Sequence, residues 1–332
     1  MTKKICAMQM DDLTSINVKL DSSFAIGLAA QRHGFKIFHY SPHHLTYHGD
    51  KIVDGKKIAN LTARGHFVNL HHPAKAAHFS IDETIESMPL DSCDVIWLRQ
   101  DPPFDMAYIT NCHLLELLQA TSQVLVVNNP RSVRSHPEKL AVLYFADLMP
   151  RTIISNDVSE LQNFHAAIGD MVIKPLYGNG GLGVAFLKKT DPNLAVYVEL
   201  QQSFNKNIPL MAQAFVKNII KGDKRILLID GEALGWFNRT PAVGQIRANT
   251  RAGGGAMACD LSTKDKEIVA RLKPWLIAEE LFFVGIDVID GFLTEINVTS
   301  PTGIFLSDQL MGTHLADDIW HSLEKKLQAR KK

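Results

Sequence analysis

The apolar run Ile5-Cys6-Ala7-Met8 predicts a first strand over residues 4–10. Helical spacing follows over 21–34, where Phe24, Ile26, Leu28 and Ala29 form an apolar face, Asp21 or Ser22 caps the start and Gly34 stops it. Residues 35–40 read as a second strand. Such a strand-helix-strand opening argues for a parallel sheet covered by helices, with ligands gathering where strands end and helices begin. Residues 11–19 lie at such a place. The pattern then weakens into short strands, turns and polar loops across 41–92. A buried strand is expected at 95–98, and the Pro102-Pro103 pair after it forces a stiff, extended exit. A helix over 108–120, a strand over 124–127 and a short helix over 137–145 carrying Lys139 complete this half. A first domain is therefore placed at 1–129.

The second half changes character. Short apolar runs at 171–175, 184–188, 211–216, 225–229 and 284–298 alternate with glycine-rich loops, a mostly antiparallel α+β pattern. No internal repeat, low-complexity tract or heptad run appears. The fold class expected is thus a parallel α/β domain followed by α+β structure.

Charge and cysteine usage narrow the function classes. Lys plus Arg and Asp plus Glu are equal at 35 each among 332 residues, so no bulk field draws the molecule to nucleic acid or an anionic membrane. The basic residues of the C-terminal tail fit the end of a helix better than a nucleic-acid site. The N-terminus lacks a signal-peptide pattern, and no apolar run reaches the ~18 residues that span a bilayer. Four cysteines without CxxC spacing fit free thiols in a reducing compartment, and a cytoplasmic location is expected. The histidines between His43 and His78 lack a regular ligand spacing and read as solvated loop residues.

Gly178-Asn179-Gly180-Gly181-Leu182-Gly183 matches the dinucleotide-binding pattern GxGxxG letter for letter. The context refuses that reading, because the apolar residues 184–187 continue as a strand where the fingerprint requires a helix N-terminus. No Lys-Ser or Lys-Thr follows, so it is not a Walker A loop either. A strand, a glycine-rich turn and a second strand can instead fold over a triphosphate, with backbone N–H groups aimed at phosphate oxygens. A protein kinase is excluded by the absence of HRD and DFG sequences and by Lys174 preceding the glycines. The plain alternative is a mobile hairpin.

Residues 283–298 are two apolar strands around Asp290-Gly291, a strong hairpin signal. Glu295 and Asn297 are two apart and share a face. A two-residue turn would pair Asp287 with Thr294 and turn it away from them. A three-residue loop, with Gly291 left-handed, would pair Asp287 with Leu293 and set it diagonally beside Glu295; that register is expected. Two carboxylates and an amide oxygen on one face suit Mg²⁺ shared with phosphates, against the alternative of a polar outer face on an amphipathic hairpin.

Several motifs in order carry a resemblance: Asp21-Ser22-Ser23-Phe24-Ala25, Arg99 with Asp101-Pro102-Pro103-Phe104-Asp105, Glu138-Lys139-Leu140, Lys174-Pro175-Leu176, Gly222-Asp223-Lys224-Arg225 and Leu293 through Thr302. Over essentially its whole length the chain resembles prokaryotic glutathione synthetase. It departs from the pattern at Gln100, where a lysine is expected, and at Arg251. The resemblance implies an ATP-grasp fold, with a lid subdomain at 130–210 and a C-terminal domain at 211–332 behind the N-terminal substrate domain. Carried over by position, Lys139, Lys174, Gly178, Asn179, Gly180, Gly181 and Gln213, Ala214, Phe215 and Val216 would bind ATP, and Asp287, Glu295 and Asn297 would hold Mg²⁺ or Mn²⁺. The implied reaction joins γ-glutamylcysteine to glycine through an acyl phosphate. Arg225, Arg239 and Arg247 are the candidate catalytic cations, and Arg99, Asn249, Arg251, Ser300, Pro301 and Thr302 the candidate substrate contacts. The run Gly253-Gly254-Gly255 suits a loop that closes over the intermediate. A homotetramer is also implied. Two alternatives stay open: another ATP-grasp carboxylate-amine ligase, and a non-catalytic ATP-binding regulator on the same fold.

Overall fold

A computed structural model describes all residues except 1–3, 50–51, 54–55, 58–59, 74, 76, 205–207, 243, 246, 249–253 and 331–332. Its first sheet places the strands Leu125–Val127, Val95–Leu98, Lys4–Gln9 and Phe35–Tyr40 side by side and parallel. The strand Asn60–Leu70 then closes onto Phe35–Tyr40 antiparallel. The first helix, Ser22–Arg32, begins where the sequence signal puts it, with the Asp21 carboxylate accepting from the Phe24 N–H at 2.7 Å. The helix after the double proline starts slightly earlier than expected, at Met106, because Asp105 takes the capping position. The expected helix over 137–145 is instead split: Glu138–Ala141 is one α-helical turn and Val142–Leu148 continues as a 3₁₀ helix with Phe145 out of helical geometry.

Two further sheets follow. Thr152–Ser155, Leu210–Ala214, Met171–Pro175 and Ala185–Leu187 form an antiparallel sheet with a hydrophobic core of its own, built on Leu161, Ile173, Val198 and Ala212 under the helices Val158–Ile168 and Leu194–Phe204. The sequence partition places 211–216 in the C-terminal domain and 130–149 in the lid; the structure assigns both differently. Leu210–Ala214 is a central strand of the lid sheet, since Met171–Pro175 and Thr152–Ser155 pair on its two sides. Val133, Ala141, Val142 and Phe145 pack in one core with Ile226, Leu228 and Ile286, so 130–149 belongs to the larger body.

The last sheet orders Gly255–Met257, Glu232–Thr240, Asp223–Ile229, Phe283–Ile289 and Phe292–Asn297, all antiparallel. Its core is shared with the first domain. Leu227, Ile229 and Phe283 pack with Met8, Phe35 and Trp97, and the C-terminal helix Leu315–Arg330 seals the seam with Ile319, Trp320 and Leu323. Asn128 fastens the same seam, donating to Phe283 O and Val298 O and accepting from Phe283 N at 2.8–2.9 Å. Trp320 is fully buried, packs on Phe35 and donates its indole N–H to Ile26 O at 2.8 Å. Trp320→Ala is expected to cost about 3–5 kcal/mol of unfolding free energy, measured as a fall in the urea midpoint; an unchanged midpoint would show that the helix does not seal the two halves.

Candidate functional site

The hairpin Phe283–Ile289 to Phe292–Asn297 builds the chemical wall of a cleft of about 640 Å³ between the lid and the larger body. Its register corrects the three-residue turn. Ile289 pairs with Phe292, so Asp290-Gly291 is a two-residue turn with φ of 52° and 79°, as the primed hairpin turns demand. The parity is restored farther along, where the register shifts between Asp287 and Val288: Val288 pairs with Leu293, Asp287 pairs directly with Glu295, and Thr294 is the extra residue of a bulge. Its hydroxyl donates to Asp287 O at 3.1 Å. Asp287 and Glu295 thus face one another, with Asn297 next on the same face.

Cross-strand pairing brings cations to these carboxylates. Arg225 is opposite Asp287 and forks onto it, Nε to Oδ1 at 2.6 Å and Nη2 to Oδ2 at 3.0 Å. Arg239 is opposite Asp223, and its Nη2 bridges Asp223 Oδ2 at 2.5 Å and Asp287 Oδ1 at 2.9 Å. Burial pushes the Asp287 carboxyl upward, but the two guanidinium groups overcome it and hold the group below the usual carboxylate range. Asp223 goes the other way: burial, helped by the neighbouring Asp287, pushes it up to about 7 against the pull of Arg239. Asp223 Oδ1 is buried without a hydrogen-bond partner among the described residues.

The lysines converge from the other side. Lys139 Nζ stands 3.6 Å and Lys174 Nζ 3.9 Å from Glu295 Oε1. Burial lowers the Lys174 pKa, and the nearby Lys139 ammonium lowers it further. Lys139 also donates to Gly178 O, tying the glycine loop down, and Arg247 Nη1 donates to Gly181 O at 3.2 Å. The loop joins the antiparallel strands Met171–Pro175 and Ala185–Leu187, with Gly180, Gly181 and Gly183 at positive φ.

Gly178, Asn179, Gly180, Gly181, Gln213, Ala214, Phe215, Val216, Lys139, Lys174, Arg225, Arg239, Arg247, Asp287, Glu295, Asn297, Ser300, Pro301 and Thr302 all line this one cleft. Arg99 does not. Arg99 is 3% exposed; its guanidinium donates Nε to Ser23 Oγ and Nη2 to Pro301 O at 3.0 Å each and lies over the Phe283 ring, while Nη1 is buried without a partner among the described residues. Asn249, Arg251 and Gly253 lie outside the described residues. Asp223, Glu138, Asp21 and Asp101, which the sequence offers only as motif residues without a site role, also line the cleft. A signal for Asp223 was present, since it stands two residues from Arg225 on the same strand and so shares its face.

For a divalent cation the wall offers Asp287, Glu295 and Asn297. Asn297 spends its Nδ2 on Gly285 O at 3.2 Å, leaving Oδ1 as an acceptor, and Glu295 is only loosely approached by the lysines. Among the described residues no three His, Cys, Asp or Glu side chains converge on a metal position, so the amide oxygen has to complete the set. Hard oxygen donors in this arrangement, beside two buried lysines, fit the cation of a nucleotide.

Two family models match the chain: the N-terminal domain of prokaryotic glutathione synthetase over residues 5–134 and the ATP-grasp domain of prokaryotic glutathione synthetase over 138–312. The chain belongs to the prokaryotic glutathione synthetase family. It is 45% identical over 328 residues to a glutathione synthetase of Agrobacterium fabrum, covering 98% of both chains, and 44% identical over 327 residues to one of Rhodopseudomonas palustris, covering 98% of this chain and 99% of that one. Among solved structures, a D-cycloserine synthetase superposes with a TM-score of 0.67 at 14% identity, covering 98% of this chain and all of the other. The D-alanyl-alanine synthetase A of Vibrio cholerae gives 0.59 at 14%, covering 98% and 99%. The ATP-grasp ligase PsnB gives 0.59 at 15%, covering 99% of both chains, and with the matched domain model it shows the ATP-grasp fold. As a glutathione synthetase family member with that fold, the chain is an ATP-dependent ligase.

Arg225→Met would leave Asp287 buried beside a single guanidinium. It is expected to lower stability by about 3 kcal/mol, the low end for breaking a buried pair because Arg239 remains. Chemical denaturation reads the loss, and a variant as stable as the parent would refute the coupling.

Proposed function

We propose that this enzyme joins γ-glutamylcysteine to glycine at the expense of ATP, releasing glutathione, ADP and phosphate. The observation that carries the reading is the single cleft in which the glycine loop, two buried lysines and the Asp287, Glu295 and Asn297 wall meet the substrate-side residues of the N-terminal domain. The family assignment supports the substrates.

A carboxylate is a poor electrophile. Its oxygen first attacks the γ-phosphorus of ATP, ADP departs, and the glycine amine then displaces phosphate from the acyl carbon with loss of a proton. No side-chain nucleophile is needed, so the protein's work is positioning and charge stabilisation. Lys139, Lys174 and the backbone of Gly178, Asn179, Gly180 and Gly181 would cradle the phosphates, and the segment Gln213 to Val216 would border the adenine. Arg239 and Arg247, with Arg225 in support, would face the transferring phosphoryl group and the tetrahedral oxyanion. Arg247, bonded to Gly181 O and lining the cleft, would help keep water from the acyl phosphate. Bound at Asp287, Glu295 and Asn297, a divalent cation, Mg²⁺ or Mn²⁺, would neutralise charge on the phosphates. Ser300, Pro301 and Thr302, directly after that wall, would meet the glycine end.

Among the described residues no helix is long and apolar enough to cross a membrane, and the cysteines are free thiols. With these, a cytoplasmic homotetramer is the reading that the family resemblance supports, and light scattering on the purified chain would measure its mass.

The deciding assay is ADP release with ATP, Mg²⁺, γ-glutamylcysteine and glycine, each omitted in turn, with the product mass determined. Turnover that requires all four and yields glutathione is expected; ATP bound without ADP release would sink the ligase assignment. Arg247→Ala is expected to lower kcat about 100-fold with nucleotide affinity retained, and an unchanged kcat would remove Arg247 from the chemistry. Chelation of the divalent cation should abolish turnover, and Glu295→Gln should raise the cation concentration needed for half-maximal rate. A variant with the parent's cation dependence would exclude Glu295 as a ligand.

A further inference from the structure

Residues 300–303 turn out of the metal wall and line the cleft, yet they have no regular secondary structure to hold them. What holds them comes largely from the N-terminal domain. Arg99, at the end of the strand Val95–Leu98, donates Nη2 to Pro301 O and Nε to Ser23 Oγ, both at 3.0 Å. Ser22 Oγ accepts from Gly303 N at 3.0 Å and Ile304 N at 3.2 Å. Ser300 donates its hydroxyl to Asp101. From the phosphate side, Arg225 Nη1 donates to Thr302 O at 3.3 Å while its other nitrogens grip Asp287. Gly285 permits the close approach, since a Cβ there would stand 3.0 Å from Pro301 Cβ. Gly303 has φ of +127° and faces the Phe237 ring, a backbone shape that L side chains rarely adopt and that this anchoring maintains.

We propose that Arg99 and Ser22 are positioning residues that fix the backbone of 300–303 at the acceptor end of the cleft, and so set the placement of the attacking amine. This rests on the reading above, in which that segment meets glycine. Arg99 is the better anchor than any lysine because two donors of one rigid fork must reach a hydroxyl and a carbonyl on different domains. The ATP-binding groups lie on other segments, so loosening 300–303 should spare nucleotide binding. Amine attack needs the reacting atoms about 3–3.5 Å apart, and a misplacement of about 1 Å costs up to 100-fold.

The test compares the parent with Ser22→Ala, Arg99→Lys and the double variant, measuring KM for glycine and for γ-glutamylcysteine, kcat, and the Kd of ATP by titration. Both single variants are expected to raise KM for glycine, by roughly tenfold for Arg99→Lys, at unchanged ATP Kd. The double variant should be less damaging than the product of the two, because both changes free the same segment. Ser22→Ala loses only a hydroxyl and keeps the question answerable if Arg99→Lys fails to fold. The proposal is overturned if Ser22→Ala leaves KM for glycine at the parent value. It is equally overturned if the whole effect of Arg99→Lys falls on γ-glutamylcysteine, which would make Arg99 a direct partner of that substrate. A parent enzyme unable to use glycine would instead overturn the proposed reaction, and that result is visible before any variant is made.

Discussion

The charged wall of the cleft is arranged around one buried carboxylate. Asp287 is 4% exposed, and an isolated carboxylate so placed would take up a proton. It stays ionised because two guanidinium groups from neighbouring strands close on it, Arg225 through a fork and Arg239 through a bridge shared with Asp223. The sheet imposes this, since Arg225 stands directly opposite Asp287 and Arg239 directly opposite Asp223. A slip of one residue in either register would turn a charged group into the core beneath. The arginines therefore keep the carboxylate ionised and set two positive charges on the wall of the cleft, where in the proposed reaction they would face the transferring phosphoryl group.

The same sheet shows how the parity is achieved. Asp230-Gly231 joins Asp223–Ile229 to Glu232–Thr240 as Asp290-Gly291 joins Phe283–Ile289 to Phe292–Asn297, with the aspartates at φ 52° and the glycines at φ 79° in both turns. In each hairpin the register shifts after two residue pairs, leaving Leu234 unpaired in one and Thr294 in the other. The bulge adds twist and re-aims the strand beyond it. In the second hairpin the result is that Asp287 and Glu295 meet, which the tight turn alone would forbid. Expecting a longer turn located the right face by the wrong device: period-two alternation tells that one residue must be absorbed, but not where along the hairpin the strain is least.

This marks what was legible in the sequence. The opening strands and first helix, the glycine hairpin and the clustering of Glu295 with Asn297 were readable because each depends on residues a few positions apart. The capping Asp21 and the Asp-Gly turn are local chemistry. The place of Leu210–Ala214 in the lid and the packing of 130–149 in the main body were not readable, since they follow from pairings across tens of residues. Arg99 shows the same limit. An arginine at a strand end reads as a substrate contact, and only the fold reveals that it donates to the carbonyl of Pro301, 202 residues away.

The lid has its own core, so it can move as a body without disturbing the seam sealed by Trp320. What ties it to the rest in this arrangement is concentrated at the glycine loop. Lys139 holds Gly178 O, Arg247 holds Gly181 O, and Tyr177 stacks on Phe104 with ring centroids 6.0 Å apart. Each tie joins the loop to a segment of the larger body that also borders the cleft. Lys139 is itself a candidate phosphate ligand, so a nucleotide entering the cleft competes for the ammonium that now pins the loop. In the proposed reaction Lys139 would thus be one of the three ties, and it would link the lid directly to phosphate binding.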